Sequence, residues 1–249
     1  MKRILCILLL IIPGLNLRAA EDLDPEEIIK RFAAKELEFK KVWEKYTYTQ
    51  HILFQVLSLD GEVREEQEIS VEVYFTSDGK RKTRTLEERG KLRSLRVSKE
   101  DLDDAIYRQP FVLTTEELPN YRIEYRGEKL IDELYTYEFD VEPREIKKGQ
   151  RYFKGRIWVD DIDFQIVMTR GKVVPDYADN KFPRFETVRE QIDGDYWFPT
   201  WTEADDILQF GQRRVRIREL ITYENFKKFE VNTSIKYGPI EEVEREEDK

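Results

Sequence analysis

The sequence predicts a mainly β fold, a meander of about ten antiparallel strands curled into a barrel or half-barrel, with one helix in front and one helical insertion. Three observations carry this prediction. Apolar residues alternate with period two from Tyr46 onward, Asp-Gly pairs punctuate the alternation, and helical spacing is confined to two places. Helices do not alternate with strands, which excludes a doubly wound α/β sheet.

The first helix announces itself at Asp24-Pro25-Glu26-Glu27: a capping carboxylate, a proline at the first helical position and acids in the first turn. Ile28, Ile29, Phe32, Ala33, Leu37, Phe39 and Trp43 then recur at three- and four-residue steps to about Tyr46, so one face is buried.

From there Tyr46, Tyr48, Ile52, Phe54 and Val56 share one parity, with Thr47, Thr49, His51 and Gln55 on the other. Asp60-Gly61 closes a hairpin. The return strand carries Ile69, Val71, Val73 and Phe75, and Asp78-Gly79 turns into a polar strand around Lys82 to Leu86.

Residues 89 to 119 interrupt the strands. Ser98, with Asp101 three residues on, reads as a helix cap before Leu102, Ala105 and Ile106, and 114 to 118 reads as another helical turn ahead of Pro119. Leu102, Ile106, Phe111 and Leu118 need a cover, which makes them candidates for a lid. Strands resume at 121–125, 135–141, 152–159 and 164–169, with 160–163 connecting the last two. After a loop with two prolines, the stretches 184–192, 196–206 and 212–224 form two more hairpins around Asp193-Gly194-Asp195 and the 207–211 segment.

The chain has 249 residues, of which 40% are apolar and 38% charged, and it contains 14 Phe, 13 Tyr and 4 Trp. That supports one large core under a highly charged surface. Lys2 and Arg3, the apolar run 4–12, Pro13-Gly14 and Ala19-Ala20 form the three-part layout of a secretory signal over residues 1–20. The run is too short and too broken to cross a bilayer, so cleavage without stable membrane insertion is expected. Cleavage removes Lys2, Arg3 and Arg18 and no acid, leaving 40 cations against 52 acids, and moves the net charge from −9 to −12. So acidic a chain is repelled by nucleic-acid phosphates and anionic membranes. The folded domain is expected over 21–237, followed by an acidic, disordered tail over 238–249.

Chemistry is sparse. Cys6 is the only cysteine and His51 the only histidine, so no internal disulfide and no Cys/His zinc site can form. His51 lies on the polar parity of its strand, no Gly-x-Ser-x-Gly elbow exists, and no phosphate-cradling glycine motif supports a nucleotide. No cofactor or metal is expected, and the protein reads as a non-enzyme. Asp160, Asp161 and Asp163 read as turn formers, since their spacing lacks the glycine and glutamate of a calcium loop. Arg214, Arg216 and Arg218 stand on one strand parity, with Glu186 and Glu190 as expected cross-strand partners.

What a minimal fold does not explain is the apolar surface gathered on single strand faces: Phe54, Val71, Val73, Phe75, Tyr137, Phe139, Phe153, Ile157, Phe164, Ile166 and Met168. The two helical pieces are the only elements that can fill the concavity of a curved sheet. Filled completely, these residues are plain core, the simpler reading. Filled incompletely, they line an apolar pocket for acyl chains.

The stretch Tyr152-Phe153-Lys154-Gly155-Arg156-Ile157-Trp158-Val159-Asp160, with Phe164-Gln165-Ile166-Val167 and Gly171, resembles the outer-membrane lipoprotein-sorting family of LolA/LolB-like periplasmic carriers. The segments Phe182-Pro183-Arg184-Phe185-Glu186 and Asp195-Tyr196-Trp197-Phe198-Pro199 are similar to those of related envelope proteins, and the likeness runs from Asp24 to about Phe229. The resemblance implies an unclosed barrel of about eleven strands with a helical lid, holding lipid or lipoprotein acyl chains in the periplasm. It also implies a rival role, a sensor or structural module acting through an envelope protein partner.

Overall fold

A computed structural model describes residues 23–76, 80–107, 111–177, 181–192 and 194–229. The expected signal, the acidic tail and the Asp78-Gly79 turn lie outside these residues.

Helix α1 (Pro25–Trp43) starts where the sequence placed it: the Asp24 carboxylate accepts from the Glu26 amide at 3.0 Å. Its buried residues Ile28, Phe32, Ala33, Glu36, Phe39 and Trp43 follow the three- and four-residue step. Ten strands follow: β1 (Tyr46–Leu57), β2 (Val63–Phe75), β3 (Arg81–Gly90), β4 (Tyr121–Ile131), β5 (Leu134–Pro143), β6 (Tyr152–Asp160), β7 (Ile166–Val174), β8 (Phe185–Gln191), β9 (Trp197–Phe210) and β10 (Arg213–Lys228). A second helix, α2 (Lys99–Tyr107), and a 3₁₀ turn at Leu118–Asn120 lie between β3 and β4. Ser98 and Asp101 cap α2 reciprocally: the Asp101 amide donates to Ser98 Oγ at 3.1 Å, and the Ser98 amide donates to the Asp101 carboxylate at 2.7 Å.

All ten strands form one open antiparallel sheet in the order β3-β2-β1-β10-β9-β8-β7-β6-β5-β4. The final strand returns to pair with the first, with Ile52 opposite Ile221. No local turn signals this pairing, because it joins the two ends of the domain. Its consequence is that β3 and β4, neighbours in sequence, are the two opposite edges of the sheet. The insertion between them therefore runs from one edge to the other across the concave face.

Helix α1 lies in that concavity and joins two apolar clusters. Ile28, Phe32 and Ala33 pack with Phe139, Ile157, Val159 and Ile166, whereas Phe39 and Trp43 pack with Tyr48, Ile52, Phe198 and Tyr223.

Two expectations need correction. A bulge in β7 places Trp158 opposite Met168 but Val159 opposite Ile166, so Ile166 and Met168 face opposite sides. Met168 lies on the outer face beside Trp158, whose indole donates to Glu138 at 2.9 Å. Phe164 belongs to the preceding turn, with φ 59°, rather than to the strand. The arginine stripe also takes a different partner. β10 lies against β9, so Arg216 and Arg218 pair with Asp205 at 2.8 and 3.1 Å, while Glu186 pairs with Arg170 of β7.

Candidate ligand-binding cavity

The insertion is fastened to the sheet at its centre. Phe111 stacks on Phe153 of β6, ring centroids 4.2 Å apart, and Phe153 in turn covers a cross-strand glycine pair, Gly155 of β6 and Gly171 of β7. A Cβ at Gly171 would stand 2.7 Å from the Phe153 ring and 2.5 Å from the Lys154 carbonyl, so the ring can lie flat only over glycine. Beside this stack, Arg189 of β8 forms a buried ion pair with Glu36 of α1, at 2.8 and 3.2 Å, and also donates to the Phe111 carbonyl. Its guanidinium lies 4.8 Å from the Phe39 ring centroid. Burial pushes the Glu36 carboxyl above its ordinary value, and Arg189 acts in the opposite direction. A single arginine thus ties helix, insertion and sheet together.

Past this tie the concavity is not filled. A cavity of about 500 Å³ lies between β1, β9 and β10 on one side and the segments 92–97 and 181–183 on the other. Phe54, Leu92, Leu95, Val97, Phe182, Leu208, Phe210 and Ile217 supply its apolar lining. Volume and lining both suit a small apolar ligand.

The eleven strand candidates separate by position. Phe54 lines the cavity, and Val71 and Val73 are buried in its cluster. Phe75 stacks on Phe229 at the end of the sheet, 4.5 Å between centroids. Tyr137, Phe139, Phe153, Ile157 and Ile166 are packed beneath the start of α1, with Phe164 half-buried against them. Of the lid candidates, Leu102 and Ile106 pack on the β1 side, and Phe111 and Leu118 on the β6 side. The lining contributed by the insertion comes instead from Leu92, Leu95 and Val97, just upstream of α2. Sequence reading missed Leu208 and Phe210 because it ended that strand at Asp206, four residues short of its end at Phe210.

The polar candidates have structural work. The Asp160 carboxylate accepts from the amides of Ile162 and Asp163, each at 3.0 Å, and Asp163 accepts from the Trp197 indole at 2.8 Å. Burial pushes Asp160 upward. His51 is exposed and 2.9 Å from Ser70 Oγ. A second hollow of about 450 Å³ opens on the outer face over β4 to β7, but most of its charged residues are already ion-paired: Arg126 with Asp140 at 2.6 Å, Lys154 with Glu142 at 3.0 Å, and Arg170 and Lys172 with Glu186 and Asp176 outside the hollow. It has no apolar floor comparable to that of the inner cavity.

No family model matches the chain, and no curated protein matches it. Solved structures do resemble it. A DUF1329 family protein from Desulfovibrio piger ATCC 29098 is 14% identical with a TM-score of 0.41, over 85% of this chain and 96% of that one. A LolA superfamily protein from Nitrosomonas europaea is 11% identical with a TM-score of 0.38, over 80% and 94%. An outer membrane lipoprotein-sorting protein domain from Vibrio parahaemolyticus is 8% identical with a TM-score of 0.37, over 84% and 95%. At these identities and TM-scores the likeness assigns neither a family nor a role to this chain.

Proposed function

We propose that this is a non-enzymatic periplasmic protein that shields an acyl chain of a lipid or lipoprotein from water in the cavity beside Phe54. The observation that carries this reading is the apolar hollow left between the insertion and β1, β9 and β10, where α1 does not reach. Each methylene moved from water into such a lining contributes roughly 0.8 kcal/mol, so ten of them supply about 8 kcal/mol before association costs. Filling the hollow also covers apolar surface that the free protein exposes to water.

The test is mass spectrometry of organic extracts from purified protein, paired with titration by a fluorescent fatty acid. Saturable probe binding that is lost in Ile217→Asn supports the reading. Absence of both extractable lipid and probe binding refutes it.

A second reading is favoured by the other half of the concavity, where Phe139 and Ile157 are fully buried beneath α1. There the concave face is ordinary core, as in an envelope module that acts through a protein partner. A folded protein that ignores acyl probes yet captures an envelope protein would select it.

A further inference from the structure

We infer that the ligand of this cavity is an amphiphilic anion, an acyl chain ending in a carboxylate or phosphate, whose head sits against Arg96, Lys181 and Arg213. The inference rests on the acyl-chain reading and adds the chemistry of the head.

The lining is divided by exposure. Its floor is apolar and buried: Leu92, Leu208, Phe182 and Phe54 are each 9% exposed or less. Its mouth is cationic: Arg96 and Arg213 are exposed and Lys181 is half-buried, all three among the lining residues. Arg213, at the first position of β10, donates to the Ser94 carbonyl at 2.6 Å, which holds it beside the 92–97 segment without neutralising it. Among the described residues, neither Arg96 nor Lys181 has an ion-pair partner.

The remaining charges do not cancel this excess. Arg218 is already matched by Asp205. Asp101, hydrogen-bonded in the α2 cap, and Glu219, 3% exposed in the buried wall, are two acids against the four cations of the lining, so an excess of positive charge remains. An anionic head is therefore repelled from the floor and attracted to the mouth, which fixes the orientation of the chain. A cationic rim is notable in a protein with a net charge of −9, whose long-range field opposes anions. Local contacts at the mouth, within a Debye length, must supply the attraction.

The test compares hexadecanoate, hexadecanol and inorganic phosphate as displacers of a fluorescent fatty acid from the full chain, below the micelle concentration. Hexadecanoate should displace about tenfold better than hexadecanol, with the margin shrinking at high salt. Arg96→Glu/Lys181→Glu should abolish the margin and leave hexadecanol unaffected. Arg96 is exposed and Lys181 half-buried, and an unchanged melting temperature verifies folding. Hexadecanol binding as well as hexadecanoate would overturn the head assignment and leave the acyl-chain reading standing. Binding of neither would overturn both, and displacement by inorganic phosphate alone would overturn the amphiphile.

Discussion

Arg189 and Glu36 meet inside the protein, side chains 2% and 0% exposed, at 2.8 Å, and the same guanidinium holds the Phe111 carbonyl. Removing one partner strands a buried charge, which costs about 3–5 kcal/mol, whereas replacing both with apolar residues of similar volume is often nearly neutral. Glu36→Leu and Arg189→Met should each lower stability by that amount in denaturant titrations, and the double variant should recover most of the loss. Even so, the double variant should loosen the insertion, because the Phe111 carbonyl loses its donor. Faster amide exchange over 111–118 would reveal this.

Gly155→Ala and Gly171→Ala should displace the Phe153 ring and with it Phe111. Inserting a methyl group into so close a contact costs roughly 1–3 kcal/mol. Near-ultraviolet circular dichroism should change along with the melting temperature. Gly194→Ala has open space around its Cβ and only a positive φ to strain it, so it should cost less.

Ile157→Asn and Ile217→Asn separate core from cavity. Ile157 is fully buried beneath α1, so an unpaired amide there adds about 1–3 kcal/mol to the lost packing and should depress the melting temperature by many degrees. Ile217 borders the hollow and is only half-buried, so stability should change less while acyl-probe affinity falls. Equal destabilisation by the two would remove the distinction.

Hydrogen bonds from Arg216, then from Arg218, hold the Asp205 carboxyl below its ordinary value. A carboxyl lowered on folding stabilises the fold above its unfolded pKa of about 3.9, and that contribution disappears as pH falls through the lower folded value. Stability measured from pH 6 down to pH 3 should therefore drop less steeply in Asp205→Asn than in the wild type.

Much of this architecture was legible locally. The Asp24 cap, the Asp60-Gly61 hairpin and the Ser98–Asp101 box depend on neighbours within a few residues, and each appears in the structure. Strand faces were legible wherever parity holds, as at Tyr48, Ile52 and Phe54. They were misread at Met168, because a bulge adds a residue and reverses every face beyond it, with no signature in composition. The β1–β10 pairing was illegible because it depends on distant chain order, whereas the Asp205 partnership was overlooked inside the expected β9–β10 hairpin, where Asp205 stands opposite Arg218. The central ion pair left a trace that went unread. Glu36 falls on the apolar stripe of its helix, and Arg189 shares parity with Phe185 and Thr187. Opposite charges on two faces that must both be buried imply each other.

The meeting of first and last strands also bears on how this molecule comes into being. Ile52 cannot find Ile221 until nearly the whole domain has left the ribosome, and such long loop closures make folding slow. Until then the hairpin of β1 and β2 presents a bare edge, open to pairing with a neighbouring chain. A nascent protein of this design benefits from staying unfolded until synthesis ends. A chain stopped before Arg213 should expose that edge and aggregate instead of forming a smaller version of the fold.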